Sequence, residues 1–297
     1  MTLSRAVLGV SRRVWWRLPP RVSESRIGLA YGRWLHGQVM RRSSREMHVW
    51  STFLRNRPGL ELMRRLVDEK AEGSTLNLAV LGCSVGAEVY SILWVLRSAR
   101  PDLEVVVHAV DISPEVVDVA KAGVYVPGMA DVVQTGIFER MTERELQEMF
   151  DWEDGAAHVK PWLREGIEWG VDDASDPELV SRLGRQDIVV ANNFLCHMDP
   201  ASAEQCLRNI ALLAEPGGYV FVSGVDLGVR TNVASDLGWE PIPDLLEEIH
   251  EADPALRRHW PCDWAGLEPL DRRRSDWRTR YASAFRVGVA PRMAEAP

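Results

Sequence analysis

The sequence predicts an α/β protein built on an open, mostly parallel sheet with helices on both faces. Three observations lead there. Short, nearly continuous apolar runs recur at "LNLAVLG" (76–82), "EVVVHAVD" (104–111) and "QDIVVANN" (186–193), the pattern of strands buried on both sides. Helical segments alternate with these runs, as a parallel sheet requires. Glycine, aspartate and asparagine gather where the runs end, at the sheet edge where open α/β folds bind ligands.

The elements follow in order. Residues 22–50 read as helical, with Ile27, Ala30, Tyr31, Trp34, Leu35 and Val39 near helix spacing, although Gly28, Gly32 and Gly37 weaken the pattern. The next helix has Pro58 near its start, an apolar stripe of Leu60, Met63, Leu66 and Val67, and Gly73 at its stop. After the first strand, 86–101 is a helix closed by Pro101. After the second, 113–125 starts a helix with Ser113 as N-cap, Pro114 at N1 and Glu115 in the first turn. Residues 126–166 break the alternation and read largely as helix (142–150) and irregular chain. The order then resumes with a strand at 166–174, a helix at "PELVSRLG", the strand 186–193, a helix at 201–218 and a strand at 218–226. The Trp- and Arg-rich tail holds one helix at 243–253 and a last strand near 280–289. This divides the chain into an N-terminal, helical, basic cap (1–73), a core (74–226, with the insertion 126–166) and a C-terminal segment (227–297) that completes the sheet.

Composition sets bounds. A chain of 297 residues with 46% hydrophobic and 26% charged residues reads as globular. No apolar run reaches the roughly 18 residues of a membrane span, and the apolar stretch near the N-terminus is too short for a secretion signal, so a cytoplasmic location is expected. Cys83, Cys196, Cys206 and Cys262 form no C-x-x-C pair and no zinc-type spacing, so reduced thiols and no metal are expected. The net charge of −8 conceals an asymmetry: residues 1–70 carry 15 Lys and Arg against 5 Asp and Glu, and the rest 20 against 38. Either a basic cap lies on an acidic body or the Arg-rich segment meets an anionic partner.

Four loops at the carboxyl ends of strands carry the chemistry. In "LGCSVGAE" (81–88), Gly82 and Gly86 bracket a strand-to-helix turn, where glycine permits positive φ and close approach of a ligand, and the helix N-terminus favours an anionic group. Asp111 ends the second strand 25 positions after Gly86, where an acidic residue takes both hydroxyls of a ribose. The loop lacks the third glycine of a pyrophosphate site. It suits a nucleoside bearing a short zwitterionic chain, such as S-adenosyl-L-methionine (SAM). Asp172 and Asp173 end the third strand; one is placed to meet an adenine amino group, with the Ala174 N–H beside it, and one to cap the helix that follows. Asn192 and Asn193 sit at the lip of the fourth strand, with Phe194, Cys196 and His197 after them.

At this point the residues resemble the chemoreceptor methyltransferase (CheR-type) family. "GCSVGAEVYSI" is similar to its Gly-Cys-Ser-x-Gly-Glu-Glu-Pro-Tyr-Ser-Ile motif, and "STFLRNRPGLELM" to its Thr-x-Phe-Phe-Arg segment. "AVDISPEVVDVAKAGVY", "DIVVANNFLCHMD" and "EPGGYVFVSGVD" fall on three further segments in order, so the likeness spans 50–226. It implies a Rossmann-like class I methyltransferase fold: a mostly parallel seven-stranded sheet with an N-terminal helical cap. It implies SAM as cofactor, with S-adenosyl-L-homocysteine as product. Carried over, Gly82, Ser84, Gly86 and Glu88 hold the methionine part, and Asp111 and Ile112 the ribose and adenine. Asp173 and Ala174 flank the adenine, Asn193 lines the methyl end, and Arg55 reaches in from the N-terminal side. Cys83 and Phe194 complete the candidate cofactor contacts.

The departures fall in the substrate half. Asn192 stands where the family has Arg, His197 where it has Tyr, Ala87 in place of Glu and Val89 in place of Pro. The antiparallel insertion that serves receptor docking in the family should lie in 126–166, a segment that reads as helical here. The expected function is therefore SAM-dependent methyl transfer to an O or N, a carboxylate among them, of a small-molecule or peptide acceptor, with His197, Asn192 and Arg55 as candidate catalytic residues. His197 is the candidate base for a hydroxyl or amine acceptor, since a histidine ordinarily titrates near 6.5. Trp239, Trp260, Trp264, Trp277 and Tyr281 are expected to wall an acidic substrate together with the tail arginines. The alternatives are a protein-glutamate O-methyltransferase of the chemoreceptor type and a non-catalytic module that senses SAM or binds a partner. No nucleic acid partner is expected, because the strand-four loop lacks an Asn/Asp-Pro-Pro-Tyr/Phe stack for a flipped base. The sequence leaves a homodimer open.

Overall fold

A computed structural model describes residues 5–41, 51–126 and 136–288. The helical expectation for 42–50, part of the irregular segment 126–166 and the last position of the strand expected near 280–289 lie outside the described residues. The chain forms two compact units, one of residues 47–249 with 278–297 and one of residues 1–46 with 250–277.

The larger unit contains β1 (Thr75–Leu81), β2 (Glu104–Asp111), β3 (Val124–Tyr125), β4 (Phe150–Glu153), β5 (Ala156–Val159), β6 (Ile167–Val171), β7 (Gln186–Asn192), β8 (Ala214–Ser223), β9 (Glu240–Pro241) and β10 (Ala284–Arg286). Seven of these form one sheet in the order β6-β2-β1-β7-β8-β10-β9. The first five run parallel; β10 is antiparallel to β8, and β9 antiparallel to β10. The sheet is therefore mixed, with a parallel body, as the sequence predicted. The centre is apolar because β1 and β7 are covered on both faces: Leu78, Ala79, Val80 and Leu81, and Ile188 through Ala191, are almost fully buried. The chain walks outward from β1 to β2 and β6, then returns through β7 to β8. Right-handed crossovers in two opposite directions put the earlier helices on one face and the later ones on the other.

Element boundaries moved in places. The helix expected at 201–218 ends at Ala211, and β8 begins at Ala214. Ser113 does occupy the N-cap position, but its side chain makes no capping bond; Asp111 accepts the Ser113 N–H instead.

The segment 126–166 requires a correction. Its described stretch, 136–166, is not largely helical: β5 and β4 pair within it, and with β3 just ahead of the segment they form a three-stranded antiparallel sheet in the order β3-β5-β4. The helix Glu143–Met149 exists, opened by the Thr142–Glu145 capping box, but the chain passes directly from it into β4 at Phe150. β4 and β5 are joined by Asp154-Gly155, both at positive φ (+49° and +80°), the two-residue turn that matches strand twist. Phe53, Tyr125, Phe138 and Phe150 pack around this sheet with ring centroids 5.0–6.3 Å apart.

Glu145 also clamps the start of the helix Arg57–Val67. Arg57 donates two hydrogen bonds to its carboxylate, at 2.6 and 2.8 Å. These bonds pull the Glu145 carboxyl down to about 2. Because the folded value lies below the unfolded one, the clamp stabilises fully above about pH 4.5 and is lost as pH falls through 2. The Arg57 side chain is 46% exposed, so solvent screening reduces the contribution to about 1–2 kcal/mol. Glu145→Gln keeps the cap but not the charge. It is expected to cost that amount in urea unfolding at pH 7 and almost nothing near pH 2.

The smaller unit packs Trp15, Leu29, Leu35, Trp260 and Cys262 together. Gly32 is required there: a Cβ on it would lie 2.2 Å from the Trp260 ring and 2.8 Å from that of Trp15. Arg33 pairs with the buried Glu268 and Asp271, at 3.2 and 3.4 Å. Of the tail aromatics expected to wall a substrate, Trp264 and Trp277 are partly exposed, but Trp239, Trp260 and Tyr281 are buried in the cores. Trp260 is core in this unit, and Trp239 and Tyr281 are core in the larger one, Trp239 lying against Phe285. Their apolar area is consumed in packing. Among the described residues no helix is long and apolar enough to cross a membrane.

Candidate functional site

The carboxyl ends of the five parallel strands converge on one edge and carry Gly82, Asp111, Asp172–Asp173, Asn192–Asn193 and Ser223–Gly224. The turn after β1 is held tightly. Gly82, Ser84 and Gly86 have φ of +67°, +50° and +84°. The Cys83 N–H donates to Val110 O (3.0 Å), the Ser84 N–H to Asp111 Oδ2 (2.8 Å), and the buried Tyr125 hydroxyl to Val85 O (2.6 Å). A Cβ on Gly82 would lie 2.8 Å from the Phe194 ring, and one on Gly86 2.9 Å from Ala120 Cβ. The turn is thus a bare backbone cradle leading into the N-terminus of the helix Ala87–Ala99. Burial pushes the Cys83 thiol up, so Cys83 contributes backbone, not a thiolate.

Asp111 is fixed at both oxygens, Oδ2 by Ser84 N–H and Oδ1 by Ser113 N–H at 3.0 Å. Each oxygen retains a lone pair for a ligand hydroxyl. Ile112 beside it is 56% exposed, an apolar surface at a site that otherwise presents polar groups. At the end of β6, Asp172 is ion-paired with Arg182 at 2.6 Å. Asp173 Oδ1 accepts from Ser175 N–H and Oγ–H at 2.8 and 2.7 Å. Both aspartates therefore serve their own loop. The Asp172 N–H bonds to Asp111 O at 3.0 Å, which sets Asp173 and Ala174 next to Asp111 along the edge.

Glu88, in the first turn of its helix, accepts from Asn192 Nδ2 at 2.8 Å, and Asn192 Oδ1 accepts from Ser223 Oγ at 2.8 Å. Burial pushes the Glu88 carboxyl up, opposed by the Asn192 hydrogen bond and by the charge of Arg55. Arg55 is carried there by a strained segment: Leu54 has φ +54°, and its N–H is caught by Ser91 Oγ at 2.9 Å. Asn193 also takes a left-handed conformation, φ +63°, which asparagine tolerates better than most residues. Its N–H bonds to Ser223 O at 3.0 Å. His197 closes the 3-10 turn Leu195–His197, half-buried, its N–H on Phe194 O at 3.0 Å. Ser223 and Gly224, at the carboxyl end of β8, were not among the sequence-predicted site residues, because neither carries the charge or paired amides that mark the other loops. Among the described residues no three His, Cys, Asp or Glu side chains cluster as a metal site would require.

Residues 50–230 match the family model of the CheR methyltransferase SAM-binding domain, which is more than half of the chain. The chain belongs to the CheR methyltransferase family. Among curated proteins, this CheR methyltransferase is 29% identical over 234 residues to an uncharacterized 104.1 kDa protein of the hypE 3' region of Rhodobacter capsulatus, covering 76% of this chain and 22% of that one. It is 25% identical over 171 residues to the probable biofilm formation methyltransferase WspC of Pseudomonas aeruginosa, covering 57% of this chain and 38% of that one. The chain thus spans well under half the length of these relatives. Magnesium protoporphyrin IX methyltransferase of Synechocystis PCC 6803, solved with bound SAM, matches with a TM-score of 0.36 at 16% identity over 64% of this chain and 71% of that one.

Family membership makes residues 50–230 a SAM-dependent methyltransferase domain, and the residues present fit that cofactor. Gly82 and Gly86, at positive φ and packed against Phe194 and Ala120 where a Cβ would stand, let the turn take a shape that a larger residue could not. Asp111 offers a carboxylate to ribose hydroxyls, and Ile112 an uncovered apolar face to a purine.

Proposed function

We propose that this CheR methyltransferase esterifies a carboxylate side chain of a protein partner. The observation that carries the reading is the antiparallel sheet β3-β5-β4. Its apparent loss was one of the reasons to prefer a small acceptor, beside Asn192 and His197, and its presence returns a surface of the kind that serves receptor docking in the family. Trp152 on the edge strand β4 is 49% exposed.

SAM supplies a methyl group on a cationic sulfur whose departure leaves a neutral thioether. The protein has to bind, align and desolvate. On this reading the 82–86 turn and Glu88 hold the methionine end, Asp111 the ribose, and Ile112, Asp173 and Ala174 the adenine. Phe194 packs over Gly82 and keeps water from the turn. Asn193, pinned by Ser223 O, presents an uncharged side chain that orients without competing as a nucleophile. A carboxylate acceptor is already ionised at neutral pH and needs no base, so His197 orients rather than deprotonates.

The test uses methyl-labelled SAM and a host protein extract. Label in protein that is released by mild alkali as methanol is expected, with the kcat–pH profile of His197→Ala parallel to that of the wild type. Alkali-stable label, or a profile that loses its acid limb in the variant, would favour a hydroxyl or amine acceptor with His197 as base.

A further inference from the structure

Asn192 and Ser223 face each other directly across β7 and β8, and their side chains form a relay that ends on Glu88. Ser223 Oγ donates to Asn192 Oδ1 and Asn192 Nδ2 donates to Glu88 Oε1, each at 2.8 Å. A primary amide has two orientations related by a half turn, and its partners decide between them. An ionised carboxylate has no proton to give, so only the NH2 end satisfies Glu88. With the amide reversed, two acceptors, Oδ1 and the carboxylate, would meet at hydrogen-bond distance.

We propose that Ser223 is a positioning residue: by donating to Oδ1 it holds the Asn192 amide in the orientation that the carboxylate selects, with its NH2 toward Glu88, and so keeps that carboxylate charged for the cationic methionine end of the cofactor. The proposal rests on the assignment of Glu88 to that end. It gives Asn192 a role behind the cofactor, because both polar atoms of its amide are engaged inside the protein. It also accounts for a neutral amide where the family has arginine: the half-buried Glu88 is supported by a hydrogen bond, with Arg55 as the charge that faces it.

The sign of the pH effect follows. Burial favours the neutral form of Glu88, and the Asn192 bond and Arg55 oppose that. The Cys83 thiol, pushed up by burial, stays uncharged over the working range. Cofactor affinity should therefore fall on the acid side as Glu88 takes up a proton. Weakening the relay should move that fall to higher pH.

The experiment is calorimetric titration of the full chain with SAM and with S-adenosylhomocysteine between about pH 5 and 8, with melting curves to confirm folding. Ser223→Ala is expected to weaken SAM binding about 3- to 10-fold at neutral pH, the size of one lost hydrogen bond in a relay to a charged group, and to shift the acid limb upward. Ser223→Thr, which keeps the hydroxyl, restores both. In an Asn192→Ala background the Ser223 change adds nothing. Unchanged affinity and limb in Ser223→Ala, failure of the threonine to restore them, or an undiminished effect without Asn192 would each overturn the proposal. Glu88→Gln separates the two assignments. Normal binding by that variant removes the role of Glu88 and the proposal with it; weakened binding beside an unaffected Ser223→Ala removes the role of Ser223 alone.

Discussion

Asp111→Ala is expected to lower SAM affinity by about 100-fold or more while leaving the chain folded. Three functions end together. The Ser84 N–H and the Ser113 N–H each lose a charge-assisted acceptor, at 2.8 and 3.0 Å, and the ribose hydroxyls lose theirs. A hydrogen bond to a charged group contributes about 1.5–3 kcal/mol, and two such losses exceed the roughly 2.7 kcal/mol that a hundredfold change requires. Ser84 sits at φ +50°, a costly conformation for a residue with a Cβ, so the turn is expected to loosen once the carboxylate that accepts its N–H goes. Asp111→Asn keeps one acceptor and should fall between. Calorimetry at neutral pH decides: binding by Asp111→Ala within about threefold of wild type would remove Asp111 from the site.

Gly224→Ala is the second large effect, and it acts on both fold and site. Gly224 has φ +60°, which costs a residue with a Cβ about 1–2 kcal/mol. The added methyl would also lie 2.6 Å from Asn193 Cα and 3.0 Å from Asn193 N. Backbone at that distance has to move, so the total loss is expected at about 2–4 kcal/mol. Gly217 supplies the control: it has φ +87° but nothing within 4 Å of a new Cβ. Gly217→Ala should cost only the strain, about 1–2 kcal/mol, and should leave SAM binding intact, whereas Gly224→Ala displaces Asn193 and weakens binding as well. Equal losses in urea unfolding for the two variants would show that the contact with Asn193 carries no energy.

The parallel body was legible because burial on both faces writes itself as unbroken apolar runs; β1, β2 and β7 lie within a residue of where such runs predict them. The antiparallel sheet was not, for a local reason. The helix Glu143–Met149, read from its capping box as 142–150, passes into β4 with no glycine or proline between them, so the strands after it read as irregular chain. The signal that would have corrected it was Asp154-Gly155, a hairpin dipeptide between short runs of alternating exposure. At the site, Gly82, Gly86 and Asp111 were readable from their places after strands. The partnership of Asn192 with Ser223 was not, since it depends on the β7–β8 register, which brings together positions 31 residues apart. The tail aromatics misled because composition alone does not distinguish a wall from a core, and Tyr281 and Trp239 had strands to cover.

The position of β10 between β8 and β9 has a consequence for biosynthesis. Residues 284–286 fill a slot between strands made some 60 and 40 residues earlier, so the outer hydrogen-bonding edge of β8 stays open while the nascent chain emerges. Such an edge is a template for mispairing with other chains. The strand that shields the edge of β8 is therefore made only after every cofactor-facing loop, and any stall or nick upstream of Ala284 yields a product prone to precipitate even though those loops have already been synthesised.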